Sequence, residues 1–180
     1  MCPSYLRVRL PIAEAMHRFG QWIGMAELRP PESIAWNKVI DAACRNGDWR
    51  CKAVLFIYES GKWTVFDDQS GYLSTRTPDE WLALAGHDEL VFVGYNDSIP
   101  SGHLIAIDQG QVVREFLDDT ANPQSHANRG QLDFEALNPI KDWIGAASFV
   151  DDDEIFSSPD YGLLWMFGEC RGDDTQWRSF

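Results

Sequence analysis

The sequence predicts an α+β protein, with a mostly antiparallel sheet of five to six strands and with two N-terminal helices and short helices packed on it. Two observations favour this class. Most β-branched and aromatic residues lie in the stretch 53–119, in short runs separated by turn residues. Outside this stretch, apolar residues recur mainly at helical spacing. Because the 180 residues contain no repeat and no linker, we expect one domain, 1–180.

The N-terminal segment predicts one strand followed by two helices. Strict alternation of apolar and polar residues over 5–10 is typical of a half-buried strand. From Ile12 the apolar residues follow helical spacing as far as Gly24. Pro30 and Pro31 then suit the first turn of a second helix, because a proline there loses no hydrogen bond. We expect the two helices to pack as a pair on one face of the sheet.

Short apolar runs in the central stretch predict the strands of the sheet, and turn residues separate them. The run at 89–95 is apolar almost throughout, as in a strand that is buried on both faces. A further buried strand is expected near the C-terminus, at 162–167. The strands of the central stretch are expected at 54–58, 62–66, around Tyr72 and Leu73, at 89–95, at 103–108 and at 111–117, with the last two joined by a turn at Gln109-Gly110.

One local signal is specific. Thr77-Pro78-Asp79-Glu80 is a capping box, in which the first and last residues exchange hydrogen bonds at the start of a short helix that ends at Gly86. Another short helix is expected at 139–147. The segment 118–131 has no periodicity and many Asn, Pro, Ser and Gly residues, so we expect a flexible loop there. A polar tail is expected at 168–180.

The chain carries 28 acidic residues against 15 lysines and arginines, which gives a formal net charge of −13. Such a charge repels nucleic acid and anionic membranes and attracts a cationic partner, although solubility alone is an equally simple explanation. The first residues alternate charged and apolar side chains, and no apolar run approaches the roughly 18 residues of a membrane span. We therefore expect a cytoplasmic protein that binds neither nucleic acid nor membrane.

No motif for catalysis or cofactor binding occurs. The sequence lacks a GxSxG nucleophile elbow, a phosphate loop, a GxGxxG fingerprint and an HExxH zinc motif. Its four cysteines form no CxxC pair, and a bridge between Cys44 and Cys51 is neither required nor excluded. We expect a protein without catalytic activity, cofactor or metal. Among the histidines, His126 is the one candidate for a general base, because it lies in the 118–131 loop.

Acidic clusters are the most informative polar feature of the chain. They follow predicted strands and helices, where they would form solvated loops, a site for a hard cation, or a surface that docks on a basic protein. None has the alternating spacing of a calcium loop. We expect the clusters to bind a protein partner. The predicted partner-binding residues are Asp67, Asp68, Asp118, Asp119, Asp151, Asp152, Asp153 and Glu154.

Five segments follow one another in order: GKWTVFD, TPDEWLALA, LVFVGYND, HLIAIDQGQVVREF and DYGLLWMFG. In pattern and order, over 52–168, they resemble small α+β immunity proteins of bacterial polymorphic toxin systems. These proteins neutralise toxins delivered by type VI secretion or contact-dependent inhibition. The resemblance implies a non-catalytic toxin inhibitor, an antitoxin that occludes one cognate toxin domain such as a basic nuclease. The resemblance assigns no binding residue to a particular position of this sequence.

Two alternatives to the antitoxin remain open. One is a small-molecule-binding domain, or an enzyme whose scattered site uses His126 and carboxylates of the 118–131 loop. It predicts a concavity with converging polar groups and a shifted pKa. The other is an interaction domain whose partner is not a toxin, and no feature of the sequence separates it from the antitoxin.

Overall fold

The computed structural model describes residues 4–45, 51–152 and 159–168. Over these residues the chain forms nine strands, four helices and three short 3-10 turns. The strands are β1 (Ser4–Val8), β2 (Ala26–Ala35), β3 (Cys51–Ser60), β4 (Trp63–Asp68), β5 (Leu90–Asn96), β6 (Ser101–Asp108), β7 (Gln111–Asp119), β8 (Ala127–Gly130) and β9 (Tyr161–Gly168). The helices are α1 (Ile12–Trp22), α2 (Trp36–Arg45), α3 (Pro78–Ala85) and α4 (Trp143–Asp152). None of these described helices is long and apolar enough to cross a membrane.

All nine described strands form one sheet in the order β2-β9-β3-β4-β1-β5-β6-β7-β8, and every neighbouring pair is antiparallel. The predicted α+β class is confirmed, but the predicted five to six strands are too few. The two strands nearest the chain ends join the sheet, since β1 pairs with β4 and β5, and β9 pairs with β2 and β3. Local periodicity does not report pairing over such distances, so the sequence underestimates the width of the sheet.

Strand β2 contains the two consecutive prolines that we expected to open a helix. Pro30 and Pro31 lie in an edge strand, whose pairing with β9 shifts register between Arg29 and Glu32. A proline is tolerated there because the outer side of an edge strand has no ladder of hydrogen bonds to lose. The second helix begins only at Trp36. The expected helix start is therefore wrong, since proline suits both environments.

A predicted loop and a predicted strand also need correction. Within the segment 118–131, β7 continues to Asp119 and β8 forms the second edge strand. The strand expected around Tyr72 and Leu73 is a 3-10 turn, because the Leu73 N–H donates to the Asp68 carboxylate rather than to a neighbouring strand. The predicted polar tail lies outside the described residues, apart from the end of β9.

Helices cover the sheet on both faces, so the protein has three layers. On one face, α1 and α3 pack on a core that includes Phe19, Trp81 and Phe92. On the other face, α2 and α4 contribute Val39 and Val150 to a second core. The expected pairing of the two N-terminal helices on one face is wrong. Strand β2 separates them in the chain and carries it along the edge of the sheet from one face to the other.

The predictions that depend only on neighbouring residues are confirmed. At the start of α3 the Thr77 N–H donates to Glu80 Oε2 at 2.8 Å, and the Glu80 N–H donates to Thr77 Oγ1 at 3.4 Å. The hairpin of β6 and β7 turns at Gln109 and Gly110, which both have positive φ.

Candidate functional site

Because helices cover both faces, the strand ends and their loops are the accessible parts of the sheet. Strands β4, β5 and β7 finish at one end, since they run in the same direction and alternate with antiparallel neighbours. Helix α4 finishes there too. Its residue Asp151 lies near Tyr95 on β5, since burial and the Asp151 and Asp97 carboxylates raise the pKa of Tyr95. Three predicted acidic clusters therefore meet in one region. We call it the acidic end, and its carboxylates are Asp67, Asp68, Asp97, Asp118, Asp119 and Asp151.

Asp68 was expected to bind a partner, but its carboxylate is buried, with the residue only 2 % exposed. It accepts hydrogen bonds from the N–H groups of Ser70 (2.8 Å), Gly71 (3.1 Å) and Leu73 (2.7 Å). The hydroxyls of Ser70, at 2.5 Å, and of Ser4 on β1, at 3.1 Å, also donate to it. Asp68 therefore shapes the loop after β4 and does not present its charge at the surface.

Asp67 is buried to the same extent, with 2 % of the residue exposed. It accepts a hydrogen bond of 2.6 Å from the Gln69 side chain. Burial, together with the Asp67 carboxylate, raises the pKa of Tyr5 on the adjacent strand. The two aspartates that end β4 are thus buried and do not contribute to the surface, because the loop that follows folds back over them.

The remaining predicted residues of the acidic end are accessible. Asp118 and Asp119 are partly exposed and Asp151 is exposed. Asp118 accepts the N–H of Trp143 at 3.1 Å and so holds the first residue of α4. Asp119 accepts the N–H of Ala121 at 2.9 Å through Oδ1. Asp152 is the last residue of α4, and Asp153 and Glu154 lie outside the described residues.

These accessible carboxylates have no cationic neighbour in the part of the chain that the structure describes. The arginines pair elsewhere, for example Arg9 with Glu89 at 2.8 Å and Arg76 with Glu80 at 2.6 Å. Asp97, which sequence reasoning did not single out, is exposed in the loop after β5. Within the described residues, the acidic end therefore carries a concentration of negative charge without a cationic partner.

Two hydrophobic side chains lie among these carboxylates. Ile99 is 55 % exposed, and Tyr95 is partly exposed. The Asn96 side chain holds the loop between them, since its Oδ1 accepts the N–H groups of Ser98 at 2.9 Å and of Ile99 at 3.1 Å. With its raised pKa, Tyr95 stays a neutral phenol at physiological pH. The region therefore offers apolar contact as well as charge.

A cavity of about 200 Å³ opens at the acidic end, on the face that α1 and α3 cover. Its floor consists of cross-strand neighbours from β1, β5, β6 and β7. Gly94 of β5 belongs to this floor and has no side chain. Ser74, from the 3-10 turn after β4, also lines it. One row of the floor is Ser4, Gly94, His103 and Leu117, and the next is Asn96, Ser101 and Asp119.

His103 lines this cavity with a neutral ring. Burial lowers its pKa to about 4, although a hydrogen bond with the Ser74 backbone acts in the opposite direction. The ring meets Phe92 edge to face, with 5.2 Å between the centroids. At physiological pH the imidazole is therefore uncharged, and one of its nitrogens is an acceptor.

Sequence reasoning chose a different histidine. His126, the histidine that the sequence favours, is exposed and does not line the cavity, whereas His103 does. Two features of the sequence place His103 near such a cavity. His103 alternates with Ile105 and Ile107, which places it on the buried face of β6, and Gly94 interrupts an otherwise apolar strand.

The low pKa of His103 predicts that mild acid destabilises the fold. The unfolded chain binds a proton here near pH 6.5 but the folded protein only near pH 4, so the free energy of unfolding falls as the pH drops through this window. We expect His103 to account for a loss of roughly 1 to 2 kcal/mol between pH 7 and pH 5. Urea unfolding at both pH values, followed by tryptophan fluorescence, measures the loss.

His103→Gln should remove this part of the pH dependence, because glutamine has no proton to gain. His126→Gln, which alters an exposed histidine, is the matched control and should retain the wild-type behaviour. An unchanged loss between pH 7 and pH 5 in His103→Gln would show that another group is responsible.

Among the described residues, no three His, Cys, Asp or Glu side chains come close enough together to hold a metal ion. In comparisons with known proteins, no family model, no curated protein and no solved structure matches this chain. The function is therefore inferred from the geometry and charge of the acidic end.

Proposed function

We propose that this chain is a cytoplasmic immunity protein, an antitoxin that binds and occludes the toxin domain of a type VI secretion or contact-dependent inhibition system. One observation carries the proposal. The accessible carboxylates Asp97, Asp118, Asp119 and Asp151 gather at one end of the sheet without a cationic partner among the described residues. The net charge of −13 acts in the same direction. A basic nuclease is the matching partner, because lysines and arginines line its phosphate-binding groove.

The mechanism we propose is steric and electrostatic occlusion. Carboxylates of the acidic end meet the basic groups that would otherwise contact phosphate, while Tyr95 and Ile99 supply an apolar centre. About 800 Å² on each partner suffices for a stable interface. Asp67 and Asp68 take no direct part, since their carboxylates are internal.

The decisive experiment is recovery of the partner. The tagged chain is purified from its native host at moderate salt, and a protein that copurifies in stoichiometric amount is identified. We expect a basic domain of a large secreted protein that is lethal when expressed alone and harmless when co-expressed with this chain. A copurified protein that is not toxic, or whose toxicity this chain fails to relieve, would refute the antitoxin function.

Charge at the acidic end should set the rate of association with that partner. For Asp97→Asn combined with Asp151→Asn, we expect the association rate constant to fall roughly three- to tenfold at low salt, with a flatter dependence on ionic strength. The matched control is Glu59→Gln combined with Asp108→Asn, which removes two exposed charges at the opposite end of the sheet. Equal effects of the two double variants would mean that net charge, and not this surface, steers binding.

The cavity is the one observation that favours the alternative, a small-molecule-binding domain. Its volume of about 200 Å³ lies below the roughly 300 to 1,000 Å³ of typical ligand pockets, so the antitoxin is the better supported function. A thermal-shift screen of metabolites tests the alternative, and a metabolite that raises the unfolding temperature at micromolar concentration would establish it.

A further inference from the structure

We propose that the cavity at the acidic end receives the guanidinium group of a single arginine side chain, which projects from the protein that this chain neutralises. The source of the arginine rests on the proposed antitoxin function. The chemistry of the cavity does not, because it can be tested on this chain alone.

The volume of the cavity limits what it can hold. The cavity of about 200 Å³ is smaller than the roughly 300 to 1,000 Å³ of typical ligand pockets. A nucleotide or a drug-sized metabolite needs more space. The end of one long side chain, or a comparably small molecule, fits.

The hydrogen-bonding groups of the cavity favour a cationic donor. Asp119 uses Oδ1 to accept the Ala121 N–H, and its second oxygen has no partner among the described residues. The neutral ring of His103 adds an acceptor, and the Ser101 hydroxyl accepts or donates. No lysine or arginine belongs to the described lining of the cavity. Asp119 is partly exposed and has no cationic partner among the described residues, so an incoming positive charge is attracted to it.

A guanidinium suits these acceptors better than an ammonium. Asp119, His103 and Ser101 belong to two neighbouring strands, and all three line the cavity. A guanidinium carries five N–H donors in a planar fork and is less strongly hydrated than an ammonium, so it engages several acceptors and loses less on leaving water.

The test is an NMR titration of the full chain with Nα-acetyl-arginine amide, a probe for an arginine side chain within a protein. We expect saturable shifts of the backbone signals of Gly94, Asn96 and His103, with a dissociation constant of roughly 1 to 10 mM. Nα-acetyl-citrulline amide, which has nearly the same shape but no charge, should produce no saturable shift. Equal binding of the two probes would overturn the proposal.

Two variants locate the binding. Asp119→Asn keeps the Oδ1 acceptor for Ala121 and so should fold normally, while it weakens binding of the arginine probe at least fivefold. Gly94→Ala should weaken it as well, because a methyl group enters the floor. Asp97→Asn, which removes an exposed charge outside the cavity lining, should leave the dissociation constant of the arginine probe within about twofold of the wild-type value. Unchanged binding in folded Asp119→Asn would refute the site.

The remaining outcomes separate this inference from the antitoxin function. If agmatine, a small guanidinium compound, binds at micromolar concentration, the cavity is a metabolite site. The proposal that it receives an arginine side chain of a partner protein is then wrong. If the arginine probe binds in the cavity but the chain protects no cell from the copurified protein, the antitoxin function fails and the guanidinium site stands. Protection without any binding of the probe would refute the site and leave the function intact.

Discussion

Replacing Arg114 by methionine is expected to lower the free energy of unfolding by about 3 to 5 kcal/mol. Arg114 on β7 and Glu135 are both buried, with 2 % and 1 % of their side chains exposed. They form a two-pronged ion pair, in which Nε donates to Oε2 and Nη2 donates to Oε1, each at 2.8 Å. Removing the guanidinium leaves a carboxylate that is buried without its counter-charge, and this state accounts for most of the expected cost.

The pair also ties the last edge strand to the sheet. Arg114 Nη1 donates to Asn128 Oδ1 at 2.8 Å and to the Arg129 carbonyl at 3.1 Å, and both acceptors belong to β8. Glu135 in turn accepts the N–H of Ile140 at 3.2 Å. Loss of Arg114 should therefore loosen the chain from β8 to the start of α4, which faster amide hydrogen exchange over this segment would report.

The pair further predicts a pH dependence. Burial alone would raise the pKa of Glu135, but the Arg114 guanidinium and the N–H groups of Leu132 and Ile140 outweigh burial and hold it below its usual value. The stability that this group contributes is present above about pH 4.5 and is lost as the pH falls through the lowered pKa. In Arg114→Met that loss should disappear, so the free energies of unfolding of the variant and the wild type should differ less in acid than at neutral pH.

Urea unfolding followed by tryptophan fluorescence measures these effects. Arg129→Met is the control, because Arg129 is 81 % exposed and lies 3.6 Å from Glu115, and it should cost less than about 1 kcal/mol. The double variant Arg114→Met with Glu135→Leu should recover part of the stability, since no buried charge remains. If Arg114→Met costs no more than Arg129→Met, the pair has no structural role.

Asp68→Ala is expected to lower the free energy of unfolding by about 2 to 4 kcal/mol. The substitution removes the acceptor for the N–H groups of Ser70, Gly71 and Leu73, and the Leu73 bond is buried. Donors without acceptors in the interior are costly, whereas an exposed carboxylate is replaced by water. The 3-10 turn that supplies Ser74 to the cavity should lose its position.

The matched control for Asp68→Ala is Asp97→Ala, which removes an exposed carboxylate whose described hydrogen-bond donor is the Ser98 hydroxyl. It should change stability by less than about 0.5 kcal/mol. Urea unfolding compares the two, and hydrogen exchange over 70–76 reports the turn. Equal stabilities of the two variants would mean that the Asp68 bonds contribute nothing net.

Features that depend on a few adjacent residues were predictable. The capping box of Thr77 and Glu80 requires only a hydroxyl and a carboxylate three positions apart. The turn at Gln109 and Gly110 requires only two residues that accept positive φ between two strand patterns. The same locality explains the error at Pro30, since a proline at a helix start and a proline in an edge strand have the same neighbours in the sequence.

The candidate site was predictable only in part. Sequence reasoning identified acidic pairs at Asp67-Asp68 and Asp118-Asp119 and treated them alike. The fold gives them different roles, because the loop after β4 closes over the first pair while the second pair remains partly exposed. The sequence does not single out His103, because its place in the cavity depends on the pairing of three neighbouring strands.

By itself, the sequence determined the α+β class, the strongly negative charge, the capped helix and the tight hairpin. Composition and short-range hydrogen bonds decide these properties, and both can be read along the chain. Only the tertiary structure decided the nine-stranded pairing, the helices on opposite faces, the buried Arg114–Glu135 pair and the meeting of the acidic clusters at one end. These properties depend on contacts between residues far apart in sequence and on which carboxylates remain in water, and no local pattern records either.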